Sequence, residues 1–169
     1  MSLQQVGPDV VATGTGILDL TGLTFDDSLP TSGTGLRPGS PTSGPLVGLG
    51  PIPGANANRY FSTPFSGPAN FGPGTTFDPA GGGAGDLVVI EPNFGAGPIG
   101  LLWVPAGYVS GNPLSDRMTF NNQTFTSLGV TPGTYEWSWG LGTNQNFTLD
   151  IPAAGVPDPV QVLGYCLSA

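Results

Sequence analysis

The chain combines 29 glycines and 19 prolines in 169 residues with a hydrophobic content of 38%, which favours one loop-rich globular domain over a disordered chain. It has no histidine and no lysine, and three arginines against eleven carboxylates give a formal net charge of −8. Histidine-dependent nucleophiles, imidazole metal sites and lysine Schiff bases are therefore excluded. The acidic balance also disfavours binding to nucleic acid and to anionic membranes.

The first two thirds of the chain contain three segments that are typical of β-strands. Residues 1–8 carry no such pattern and are interpreted as an N-terminal extension. Strands are predicted within Val10–Leu20, Asp86–Glu91 and Ile99–Val109, because β-branched and apolar residues are concentrated there between glycine and proline. The segment between residues 31 and 53 is rich in glycine, proline, serine and threonine and is predicted to be a loop.

The C-terminal half predicts a β-hairpin. From Thr134 to Trp139 the residues alternate strictly, with the aromatic side chains on one face of the strand. Asn146–Ile151 alternates in the same way, and a loop of glycine and polar residues separates the two segments. Before the hairpin, the segment Met118–Phe125 contains Asn121 to Gln123, which fit either a turn or the polar middle of a strand.

No window between these segments keeps a helical period, because glycine or proline interrupts every long stretch. We therefore expect an all-β fold, an antiparallel β-sandwich or jelly roll with long Gly/Pro-rich loops. The predicted organisation is an N-terminal extension at 1–8, a β-sandwich domain at 9–152 and a C-terminal tail at 153–169. The apolar runs are too short to span a bilayer, so no membrane insertion is expected.

Three blocks of the sequence carry a family resemblance: Thr13–Leu20, Pro105–Gly111 and Thr124–Gly140. They resemble bacterial exported proteins that carry a PEP-CTERM sorting signal. The resemblance continues to Val156–Pro159, where Val-Pro-Asp-Pro stands for the family's Val-Pro-Glu-Pro signature. The transmembrane helix and basic cluster that follow this signature in the family are missing here.

The resemblance implies a location and a setting rather than an active site. It implies export to the cell surface or the extracellular space, with a leader that is not present in this chain, and a role in exopolysaccharide or biofilm matrix. Cys166 has no second cysteine with which to form an internal disulfide.

Two groups of residues are candidate binding sites. Trp103, Tyr135, Trp137 and Trp139 would form a sugar-stacking platform if they were exposed on a sheet, and a sandwich core if they were buried; the apolar residues of the neighbouring strand favour the core. Asp26 and Asp27 form the adjacent carboxylate pair of the chain, and hard oxygen ligands of this kind bind calcium. Calcium is the single candidate cofactor, and a solvated turn is the alternative for this pair.

The leading functional hypothesis is a non-catalytic extracellular structural protein that self-associates, as a homo-oligomer or filament. The near absence of charged residues leaves sheet edges poorly guarded, and Val10–Leu20 could add as a strand to a neighbouring copy. The alternative is a carbohydrate-binding module of the exopolysaccharide matrix, assisted by calcium. A third and more distant hypothesis is a glycosidase that uses carboxylates alone.

Overall fold

The computed structural model describes residues 1–31, 34–62, 65–94 and 99–153. The Val156–Pro159 signature, Cys166 and all of the C-terminal tail except Ala153 lie outside the described residues.

The described residues form thirteen strands and no helix. In chain order the strands are β1 (Ser2–Val6), β2 (Asp9–Ile17), β3 (Thr24–Pro30), β4 (Gly35–Arg37), β5 (Leu46–Leu49), β6 (Asn56–Ser62), β7 (Asp78–Pro79), β8 (Gly82–Gly85), β9 (Val88–Phe94), β10 (Ile99–Pro105), β11 (Pro113–Phe120), β12 (Gly133–Ser138) and β13 (Asn146–Ile151). They build two sheets. The first has the order β12-β13-β1-β2-β11-β8, and the second has the order β3-β6-β10-β9-β5-β4-β7.

The two sheets pack face to face, so the predicted all-β sandwich is confirmed. All strand pairs are antiparallel except β1 with β13, which is parallel. The predicted hairpin of β12 and β13 is present, with Tyr135 opposite Leu149 and Trp137 opposite Phe147. Asn121 and Asn122 form a turn, in which Asn122 has a φ of 54°.

The predicted loop between residues 31 and 53 is wrong in part, because β4 and β5 lie within it and place Leu36, Val47 and Leu49 in the core. Glycine and proline mask these short strands in the sequence.

Two further expectations for the N-terminal part differ from the structure. Residues 1–8 are not an extension, because β1 lies inside the first sheet between β13 and β2. The predicted donor strand Val10–Leu20 is also engaged within its own chain, since β2 pairs with β1 on one side and with β11 on the other. Sequence patterning missed β1 because its polar glutamines mask a single buried residue, Leu3.

The main core lies between the sheets. Alternate residues of β2, β11 and β13 point into it from the first sheet, and β5, β9 and β10 contribute from the second. A smaller apolar cluster of Ala57, Leu87 and Val89, with Trp103 packed against it, is separate from this core. No helix in the described part of the chain is long and apolar enough to cross a membrane.

Candidate functional site

Trp137 and Trp139 are core residues and do not form an exposed platform. The Trp137 side chain is 1% exposed, and its indole Nε1 donates a hydrogen bond to the Pro68 carbonyl at 2.8 Å. The Trp139 Nε1 donates to the Asp19 carbonyl at 2.8 Å. Both rings are therefore fixed between the sheets with their polar atoms satisfied, and neither presents a free face to a sugar.

The other two candidate stacking residues lie apart from each other. Tyr135 is half-buried beside Trp137, with its ring stacked at a centroid distance of 6.5 Å. Trp103 belongs to the second sheet and packs on the separate apolar cluster, with the guanidinium of Arg59 5.1 Å from the centre of its ring. The structure does not bring the four aromatic residues together as one binding surface.

Asp26 and Asp27 are bound to an arginine. The Arg59 guanidinium lies 2.7 Å from Asp26 Oδ2 and 3.0 Å from Asp27 Oδ2. The Arg59 guanidinium therefore already binds the carboxylate oxygens that calcium would need. Among the residues that the structure describes, no group of three or more acidic or thiol side chains could hold a metal ion.

A cavity of about 220 Å³ opens between the two sheets at a different place. Its walls combine buried apolar side chains with polar groups at the rim. The residues that line it are Met1, Gly14, Thr15, Gly16, Ile17, Leu18, Leu49, Val88, Leu114, Asp116, Asn144, Asn146, Phe147 and Thr148. Because Gly16, Asn144 and Asn146 are exposed, the cavity communicates with solvent on their side.

Two glycines of β2 create this space. Gly14 and Gly16 lie opposite Asp116 and Leu114 of β11, on the face of the sheet that points inward. A Cβ atom at position 14 would collide with the Asp116 carboxylate, whereas one at position 16 would meet no atom within 4 Å. The missing side chain at Gly14 thus makes room for the Asp116 carboxylate, and the missing side chain at Gly16 leaves part of the cavity empty.

Asp116 is the one charged side chain that β11 turns toward the core. It is 9% exposed, and its Oδ1 has no hydrogen-bond partner. Both of its cross-strand neighbours, Gly14 and Gly85, lack a side chain. The carboxylate therefore sits in the wall of the cavity without a side-chain partner on either flanking strand.

The charges around the cavity act in opposite directions. Burial raises the pKa of Asp116 to about 6; the N-terminal ammonium opposes this rise, Asp86 adds to it, and a hydrogen bond with the Gly14 backbone opposes it. Burial lowers the pKa of the N-terminal ammonium, against the attraction of Asp116 and Asp150. The ammonium donates a hydrogen bond to the Thr148 carbonyl at 2.9 Å.

The sequence contains a signal for this site that the motif-based prediction did not use. Along β11, Leu114, Met118 and Phe120 alternate with polar residues, and Asp116 falls on their apolar face. A carboxylate at an inward position of a strand indicates either an ion pair or a binding site. The prediction instead concentrated on aromatic residues and on adjacent carboxylates.

Comparison with known proteins finds no matching family model, no matching curated protein and no matching solved structure.

Proposed function

We propose that this protein is a non-catalytic structural protein that associates with copies of itself at a bacterial surface or in a biofilm matrix, after export. The observation that carries the proposal is the open edge of the second sheet, formed by β3. The sequence resemblance to exported PEP-CTERM proteins supports the location.

Strand β3 is an edge strand of seven residues, with a register shift between Phe25 and Asp27 and with Pro30 as its last residue. It pairs with β6 on one side and has no strand partner on the other among the described residues. Phe25 is 51% exposed on this edge, and its ring contacts Tyr60 of the next strand. A long edge with an exposed aromatic residue is a template for pairing with another chain.

The acidic residues of β3 guard this edge weakly. Free charges on an edge strand oppose pairing because they would be buried without a partner. Here Asp26 and Asp27 are both bound by Arg59 of β6, which reduces their net charge and holds their carboxylates over the neighbouring strand. Lysine, the usual guard of an edge, does not occur in the chain.

The remaining edges differ in how open they are. Strand β7 has only two residues, and Ser66 bridges to Ser138 on the outer side of β12. Strand β8, Gly82–Gly85, ends the first sheet, but the backbone at residues 50–52 lies against it, since the Ile52 amide donates a hydrogen bond to the Gly83 carbonyl at 3.4 Å. The β3 edge is therefore the edge most open to pairing: β3 with β3 forms a dimer, and a second contact on another surface would be needed to extend the dimer into a filament.

The test introduces a charge on the β3 edge. The variant Phe25→Lys is compared with Val109→Lys, which adds the same charge at an exposed loop position. Sedimentation velocity and electron micrographs should show oligomers for the wild type and for Val109→Lys, and monomers for Phe25→Lys. Circular dichroism checks that each variant is folded, and Thr24→Lys repeats the experiment without removing the contact to Tyr60.

A wild-type protein that sediments as a monomer at the highest soluble concentration would overturn the proposal. Oligomers that persist in both edge variants would place the contact elsewhere and contradict the role of β3.

A further inference from the structure

We propose that the cavity beside Asp116 binds a small organic cation, an ammonium group attached to an apolar ring or chain, with Asp116 as its counter-ion. This inference goes beyond self-association through β3 and does not depend on it.

The first argument is the unsatisfied carboxylate. A buried charge without a partner is costly, so buried carboxylates in folded proteins are paired or hydrogen-bonded. Asp116 is nine-tenths buried with glycine on both flanking strands. The N-terminal ammonium and the Gly14 backbone stabilise its charge in part, but its Oδ1 has no hydrogen-bond partner. A donor supplied by a ligand would satisfy this oxygen.

The second argument is the charge of the surroundings. Asp86 and Asp150 act on the groups at this cavity, and the chain as a whole carries a net charge of −8. The N-terminal ammonium, the one positive charge at this cavity among the described residues, is hydrogen-bonded to the Thr148 carbonyl. The net charge of the chain repels an anion and attracts a cation from a distance, and at the site the Asp116 carboxylate attracts the cation against the repulsion of the ammonium.

The third argument concerns size and polarity. The volume of about 220 Å³ exceeds the roughly 150 Å³ of an engineered cavity that admits a benzene ring. The apolar surface of Leu49, Val88, Leu114 and Phe147 suits a hydrocarbon body. A metal ion does not fit this arrangement, since Asp116 belongs to no group of three or more acidic or thiol side chains in the described residues.

A ligand that carries an ammonium group suits this site better than a neutral ligand of the same shape. A hydrogen bond between an ammonium donor and a carboxylate is about twice as strong as one between neutral groups. A neutral alcohol of the same shape would fill the apolar part of the cavity and gain less from Asp116. We therefore expect the site to discriminate by charge.

The experiment measures binding of cyclohexylammonium to the full chain by titration calorimetry, with cyclohexanol and cyclohexanecarboxylate as the neutral and anionic analogues. The cation should bind at least about 10-fold more tightly than cyclohexanol, and the carboxylate should not bind. Asp116→Asn should weaken binding of the cation by about 10- to 100-fold, the range expected when a hydrogen bond to a charged group is lost.

Two further variants separate the cavity from general electrostatics. Glu136→Gln removes one negative charge from an exposed position of β12 and should leave binding unchanged. Gly16→Leu keeps Asp116 but fills the cavity beside it, where a side chain meets open space, and should abolish binding. Circular dichroism of each variant confirms that it is folded, and Asp116→Asn tests the site even if Gly16→Leu does not fold.

Three results would overturn the proposal. One is no detectable binding at millimolar cyclohexylammonium. The second is equal binding of cyclohexanol, and the third is retention of cation binding in Asp116→Asn.

Discussion

At the scale of single residues, Trp137 and Asp116 show two ways in which a side chain is held inside this sandwich. Trp137 is surrounded by the rings of Phe71, Tyr135 and Phe147 and has its indole nitrogen bonded. Asp116 lies in the same inter-sheet layer with an unpaired oxygen. The first residue contributes to stability, and the second reduces it at neutral pH.

Replacement of Trp137 by alanine should lower the free energy of unfolding by roughly 3–5 kcal/mol, because a large side chain is removed from a packed core and leaves a cavity. Urea denaturation followed by circular dichroism measures the change. The control is Leu141→Ala, where the side chain is fully exposed and the change should stay within about 0.5 kcal/mol. Equal stabilities of the two variants would contradict the core assignment.

Asp116 should make stability depend on pH. Its folded-state pKa of about 6 lies above the ordinary value of 3.8, so between these values the folded protein binds more protons than the unfolded chain. The free energy of unfolding contributed by this group therefore falls as pH rises from about 4 to about 6 and stays low above that window.

The variant Asp116→Asn removes this dependence, and it should be more stable than the wild type at pH 7 and lose that advantage near pH 4. Denaturation curves of both proteins at several pH values provide the comparison. The pKa values of Glu91 and Asp78 are also raised by burial, but both proteins contain these groups, so their effects cancel in the difference. A difference in stability that does not change with pH would contradict the burial of the carboxyl group.

At the scale of elements, the strands that the sequence predicted are those whose pattern is local. The hairpin of β12 and β13 was predicted because aromatic and apolar residues alternate on both sides of a glycine-rich loop. The strands from β3 to β8 were not predicted. Strands β4, β5, β7 and β8 are two to four residues long and rich in glycine or proline, and β3 and β6, although seven residues long, are mostly polar and show no apolar alternation. Their extended conformation comes from pairing with neighbours, which a local pattern does not encode.

The candidate sites were likewise predicted where the pattern is local and missed where they depend on residues far apart in the sequence. The burial of Trp137 and Trp139 was favoured in the sequence analysis because the neighbouring strand carries matching apolar residues, Phe147 and Leu149. The pairing of Asp26 and Asp27 with Arg59 was not predicted, because it depends on the register of β3 against β6, about thirty residues apart along the chain. The cavity beside Asp116 depends on two glycines of a strand about a hundred residues away.

Removal of residues 1–8 tests the role of β1 as an element. This strand lies between β13 and β2, so its loss divides the first sheet and leaves two new open edges. We expect the shortened chain to lose cooperative unfolding and to aggregate, measured by thermal denaturation and light scattering. Exchange of Gln4 and Gln5 for serine, which keeps the backbone of β1, is the control and should retain a cooperative transition. A shortened chain as stable as the wild type would contradict the pairing of β1.

At the scale of the whole molecule, the balance between net charge and edge pairing sets the tendency to associate. Eleven carboxylates and three arginines give every copy the same negative sign, and like charges oppose association. The open β3 edge and its exposed Phe25 favour association. Because this repulsion comes from ionised carboxylates, which protonation neutralises and salt screens, the degree of association should respond to pH and to salt.

Self-association should increase as pH falls from 7 toward the sequence isoelectric point of about 4.1. Protonation of the carboxylates removes the repulsion between copies. Sedimentation at a series of pH values measures the effect, and added salt at pH 7 should produce part of it by screening. Constant oligomer size across this range would show that net charge does not limit assembly.

The parallel pairing of β1 with β13 also sets the order in which the sandwich can be completed. The Asp150 amide donates to the Met1 carbonyl at 2.9 Å, so the residue before β1 is bonded near the end of β13, the last strand among the described residues. Closing a loop of that length costs conformational entropy before the contact is gained. During synthesis, the apolar faces of β1 and β2 have no complete sheet to join until residue 150 has been added. We therefore expect β1 and β13 to pair in the last step of folding and the hairpins between them to form earlier.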